Sequence, residues 1–95
     1  MKFEDRILKR HPDASFQEID GKALVVVPQR AAIEVLSEVG TRVWSLIDGR
    51  RTVAEIMDRI AADYDVERAQ LEADIQEFVG SLDRAEMLVP QEKES

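Results

Sequence analysis

The hydrophobic pattern of this chain changes once, at Ser37: before it the apolar residues come in short β-type runs, and after it they recur every third or fourth position. Strands followed by helices, with no alternation between them, define an α+β domain: a three-stranded antiparallel sheet and then three helices. The first two strands are expected over Ala14–Ile19 and Ala23–Val27. Asp20-Gly21 joins them, a dipeptide that takes up the positive φ angles of a type I′ hairpin turn without strain. Leu24-Val25-Val26-Val27 is apolar without alternation, as suits a central strand covered at least partly on both faces, and Pro28 ends it because proline cannot donate to a ladder. Ala32-Ile33-Glu34-Val35-Leu36 alternates as a third strand does, although Ala31-Ala32 with the polar residues that follow also fits a helix start.

Three amphipathic helices should follow. Ser37 can cap the first, expected over Glu38–Asp48, with Val39, Val43, Trp44, Leu46 and Ile47 on one stripe and Gly49 closing it. Thr52-Val53-Ala54-Glu55 reads as a capping box, in which hydroxyl and carboxylate satisfy backbone donors that the helix leaves free. Val53, Ile56, Met57, Ile60 and Tyr64 give the second helix its apolar face. After a link at Asp65-Val66, Leu71, Ile75, Phe78, Val79 and Leu82 define the third, and Met87-Leu88-Val89 closes the core.

The 95 residues, 44% of them apolar, suffice for one core, since a chain of this size removes roughly 60–65% of its unfolded surface from water on folding. One domain is expected: an extended or weakly helical arm over residues 1–13 with no assigned function, a folded core over 14–89 and a frayed tail over 90–95. There is no cysteine, hence no disulfide, thiol nucleophile or thiolate metal site. Neither a membrane span nor a signal-like start is visible, so a cytoplasmic location is expected. Thirteen basic residues against 20 acidic ones leave a formal charge of −7, which repels nucleic acid and anionic membrane alike. Arg6, Lys9, Arg10 and the pair Arg50-Arg51 are read as solvated surface.

The segment Leu36-Ser37-Glu38-Val39-Gly40-Thr41-Arg42-Val43-Trp44-Ser45-Leu46-Ile47-Asp48-Gly49, with Arg51-Thr52-Val53-Ala54-Glu55-Ile56 after it, resembles the central signature of PqqD-like proteins. Tyr64-Asp65-Val66 and Asp74-Ile75-Gln76-Glu77-Phe78-Val79 with Leu82 continue the likeness, which covers roughly residues 14–89. It is closer to PqqD-like proteins in general than to the pyrroloquinoline quinone chaperone itself. Two departures stand out: Ser37 replaces the family's usual asparagine, and Arg84-Ala85-Glu86 lacks the glycine normally found before the last apolar pair.

This resemblance implies a winged-helix-like RiPP recognition element that binds the leader of a ribosomally made precursor peptide and presents it to a modifying enzyme, often of the radical SAM type. The leader would join the sheet edge at the third strand and lie against the third helix. Ala32, Ile33, Glu34, Val35 and Leu36, with Leu71, Asp74, Ile75 and Phe78, are then the expected peptide-binding residues. The chemistry is compatible, because an edge strand presents unpaired donors and acceptors along which an extended peptide can add. Ile33 and Val35 would line an apolar groove with Leu71, Ile75 and Phe78, although each of these also reads as an ordinary core residue.

Other readings are weaker. The one histidine, His11, sits beside Pro12 in the polar arm, and with no phosphate loop or nucleophile motif neither an enzyme nor a cofactor is expected. Asp63, Asp65 and Glu67 lack the glycine turn and distal glutamate of a calcium loop and read as a solvated link. The second and third helices could form a helix-turn-helix, but Glu67, Glu72 and Asp74 would repel a phosphate backbone. An adaptor that dimerises through the open strand edge is the competing use of that edge.

Overall fold

The computed structural model describes residues 2–20, 22–28 and 32–89. Three strands, β1 (Ser15–Ile19), β2 (Lys22–Val27) and β3 (Ala32–Leu36), precede three helices, α1 (Glu38–Leu46), α2 (Val53–Asp63) and α3 (Arg68–Arg84). The α+β architecture expected from the change of periodicity is the one observed. The sheet is antiparallel in the order β1-β2-β3, so β2 is central and the outer side of β3 has no strand partner among the described residues. At the first hairpin Asp20 takes φ 52°, while Gly21 lies outside the described residues, as do residues 90–95.

Ala23, Val25 and Val27 of β2 are buried under the helices, and Leu24 and Val26 on the opposite face are half-buried. All three helices face this layer: Val43 and Trp44 from α1, Ile56, Met57 and Ile60 from α2, and Leu71, Ile75, Val79 and Leu82 from α3 are buried in one core. The caps form as the sequence requires. Ser37 Oγ accepts from the Gly40 N–H at 3.0 Å, so serine does the capping work of the asparagine it replaces. At α2 the Glu55 N–H donates to Thr52 Oγ1 at 3.2 Å, and the Thr52 N–H donates to Glu55 Oε1 at 2.9 Å. No helix among the described residues is long and apolar enough to cross a membrane.

The first helix stops two residues short of the expected Asp48. Ile47 leaves helical geometry at ψ 103°, and Asp48 Oδ1 accepts from the Arg50 and Arg51 N–H groups, each at 2.9 Å. These bonds, from Arg51 first and Arg50 second, hold the Asp48 carboxyl below its ordinary pKa. Gly49 follows at φ 79°, where a side chain would be strained.

Residues 2–13 are more than an arm. A short 3-10 turn over Phe3–Asp5 leads into an extended strap that runs between the α1–α2 loop and the residues after α3. The Val53 and Gly49 N–H groups donate to the carbonyls of Arg6 and Leu8, at 2.8 and 3.0 Å, and the Val89 N–H donates to that of Lys9 at 2.8 Å. Leu8 is 1% exposed within the core.

The strap also corrects the reading of its arginines as solvated. Arg6 grips both oxygens of Asp83 at the end of α3, at 2.7 and 2.8 Å, and this hydrogen bonding raises its pKa. Arg10 lies 5.0 Å from the Trp44 ring centroid and donates to the Trp44 carbonyl at 2.6 Å. Its pKa is lowered by burial, and its Nε and the indole Nε1 have no partner among the described residues.

The missing glycine at the end of α3 has a structural answer. Glu86 itself takes the left-handed conformation, φ 58°, while its N–H donates to the Asp83 carbonyl and that of Met87 to Leu82, the Schellman pattern. A residue with a Cβ costs roughly 1–2 kcal/mol in this conformation, so the end of α3 closes at the expense of some backbone strain.

Candidate functional site

Strand β3 sets the site. Its register with β2 pairs Val25 with Glu34, Ala23 with Leu36, Leu24 with Val35 and Val26 with Ile33. Cross-strand partners share a face, so Glu34 and Leu36 point toward the helices and Ile33 and Val35 point away. The exposures agree: Leu36 is in the core, whereas Ile33 and Val35 are 64% and 61% exposed. The expected groove is corrected accordingly, because Ile33 and Val35 cannot share a cavity with Leu71, Ile75 and Phe78. They lie on the outer face of the sheet. Ala32 pairs with Val27 at the start of the strand.

The α3 residues do form a groove, with partners from the first helix rather than from β3. Leu71, Asp74, Ile75 and Phe78 wall a cavity of about 280 Å³, which Ser37, Val39, Gly40 and Val43 complete from the start of α1 and Val66 from the α2–α3 link. Gly40 was the signal available in the sequence. A glycine early in a helix weakens it, and here its bare Cα admits a close approach: a Cβ would lie 3.3 Å from Phe78 Cε1.

Beyond Phe78 the groove continues along β3 as a second open cavity, about 270 Å³, between Glu34 of β3 and Asp74, Glu77, Phe78 and Ser81 of α3. Ser81 Oγ donates to Glu34 Oε1 at 3.0 Å and bridges strand and helix across its floor. Asp74 accepts from Gln70 Nε2 at 2.9 Å, one helical turn back. Of the expected site residues, Glu34, Leu71, Asp74, Ile75 and Phe78 therefore line one continuous cleft beside the free edge. Leu36 lines neither part of that cleft but a larger cavity of about 380 Å³, of mixed polarity, on the hairpin side of α1.

His11 is structural: its N–H donates to the Met87 carbonyl at 2.9 Å, and its Nδ1 accepts from the Asp13 N–H at 3.1 Å. Among the described residues no three His, Cys, Asp or Glu side chains converge to hold a metal ion.

A three-stranded sheet backed by three helices, with a cleft between its free third strand and its last helix, defines a small α+β domain with an accessible strand edge. Residues 23–88 match the family model described as coenzyme PQQ synthesis protein D, and the chain belongs to this PqqD family. It is 30% identical over 69 residues to a PqqA binding protein of Rhodopseudomonas palustris strain HaA2, covering 73% of this chain and 66% of that one. It is 31% identical over 65 residues to a PqqA binding protein of Xanthomonas oryzae pv. oryzae strain PXO99A, covering 68% of each. The chain thus spans just under two thirds of the Rhodopseudomonas protein. Among solved structures, one described as TbiB1 in complex with the TbiA(beta) leader peptide superposes with a TM-score of 0.77 at 29% identity, covering 90% of this chain and 99% of that one.

Proposed function

We propose that this protein captures the leader of a ribosomally made precursor peptide as a fourth strand on β3 and presents it to a modifying enzyme, without catalysing a reaction itself. The observation that carries this reading is the open edge of β3, whose Glu34 lines a cavity of about 270 Å³ that meets the mostly apolar cavity of about 280 Å³ at Asp74 and Phe78. Unpaired strand groups supply hydrogen bonds to any extended chain, and the cavity supplies preference. Membership of the PqqD family supports the reading, as do relatives described as PqqA binding proteins and a structural neighbour solved with a leader peptide.

The peptide-binding residues in this proposal are the backbone of Ala32 to Leu36 and the side chains of Leu71, Asp74, Ile75 and Phe78. Its recipient is a radical SAM enzyme, the partner the family resemblance implies, and its setting is the cytoplasm.

Burial of two or three peptide side chains and the strand hydrogen bonds favour binding, while ordering a flexible peptide and associating it oppose binding. A micromolar Kd, about −8 kcal/mol, is the strength expected of a carrier that must release its cargo. Calorimetry with the leader of a cognate precursor peptide should give a Kd of that order. No heat and no saturation with that leader would contradict the proposal.

The same edge can pair with its own copy, so a homodimer through β3 is the competing state. Sedimentation with and without leader separates the two uses: a dimer dissolved by peptide shares the edge, and one indifferent to peptide does not.

A further inference from the structure

The groove beside β3 has two unlike halves. On one side of Phe78 its walls are mostly apolar, from Val43, Leu71 and Ile75; on the other it carries Glu34 from β3 and Glu77 from α3, and Asp74 of α3 borders both halves. Glu34 is held in place by the Ser81 hydroxyl. No basic side chain lines either half among the described residues, and the whole chain carries a formal charge of −7. An anionic peptide side chain in the second half would therefore meet repulsion from near and far, and a cationic one would meet attraction from both.

Strand geometry turns these two halves into a sequence rule. Side chains on one face of a strand are two residues apart, about 6.6–6.8 Å. The inward residues of β3 bracket the division: Glu34 opens on the acidic half, and Leu36 leads into Ser37, where the apolar half begins. A strand laid along the free edge points one inward side chain at the Ser37–Gly40 end and the next inward one at Glu34.

We propose, resting on the reading that this cleft holds a peptide strand, that it selects segments in which an apolar residue and a lysine or arginine are separated by a single residue. The apolar side chain fills the cavity under Phe78. The cation sits between β3 and α3, within reach of Glu34, Asp74 and Glu77. The leader this protein serves is thus basic at one position, and the carboxylates fix the register in which it docks, since a slip by one residue turns both side chains to the outer face of the sheet.

The test is a selection of random peptides, long enough to run along β3, on the immobilised full-length protein, repeated on the exposed charge-reversal variant Glu77→Lys. Enriched wild-type binders should share an apolar residue with lysine or arginine two positions away. Replacing that cation by glutamate in a resynthesised binder should weaken it about ten-fold at low salt, less at high salt. Glu77→Lys should shrink or invert this preference while leaving the apolar requirement intact. Enrichment of apolar strand-forming peptides with no charge preference overturns this inference and leaves peptide capture standing. No enrichment of any peptide overturns both.

Discussion

Phe78→Ala is expected to weaken leader binding by about ten- to thirty-fold in calorimetry, the largest loss available from a single exposed-side change in the cleft. The ring borders both halves of the groove and packs against the bare Cα of Gly40. Removing it deletes the wall on which a peptide side chain would be buried, worth about 1.4–2 kcal/mol for a half-buried contact. The ring is only partly buried, so the fold should survive with a loss of about 1–2 kcal/mol, visible as a modest fall in Tm. Phe16→Ala is the matching control. Phe16 is 41% exposed on β1, at the opposite edge of the sheet, and its removal should leave leader affinity unchanged. Equal losses from both variants would place the peptide somewhere other than the β3 cleft.

Leu8→Ala should cost about 3 kcal/mol of stability and lower Tm by roughly 12–24 °C in a domain of this size. A solvated arm would tolerate the same change within about 0.5 kcal/mol. The difference comes from burial: Leu8 is 1% exposed, and its carbonyl accepts from the Gly49 N–H in the α1–α2 loop. The strap also closes the core beneath Trp44 through Arg10 and is tied to the end of α3 by Arg6 and Asp83. A chemical-denaturation midpoint unchanged by Leu8→Ala would show that the Leu8 side chain is not part of the core.

The sheet and the three helices were legible in the sequence because each rests on a local signal: the β-branched run Leu24–Val27, the cap at Ser37, the box at Thr52–Glu55 and the apolar stripe of α3. The strap was not legible, since it is held largely by backbone hydrogen bonds, which leave no residue pattern, and by one isolated leucine. Arg6 and Arg10 looked like surface because their partners, Asp83 and Trp44, lie 77 and 34 residues away along the chain.

The candidate site was half legible. Alternation located β3, and the α3 stripe supplied Leu71, Ile75 and Phe78, but which face of β3 meets α3 depends on register with β2. A shift of one residue exchanges Ile33 and Val35 for Glu34 and Leu36, and nothing in a five-residue strand with apolar residues on both faces announces the choice. Of the other cavity residues, Ser37 read only as the cap of α1, and Val39 and Val43 only as part of its core stripe.

The most direct test of the central claim is an amide chemical-shift titration of the isotopically labelled protein with the leader of a cognate precursor peptide. The account predicts shifts concentrated along Ile33–Leu36 and from Leu71 to Ser81, with Phe16 and the rest of β1 unmoved. Saturating shifts confined to β1 or to the hairpin side of α1, with β3 and α3 silent, would contradict it.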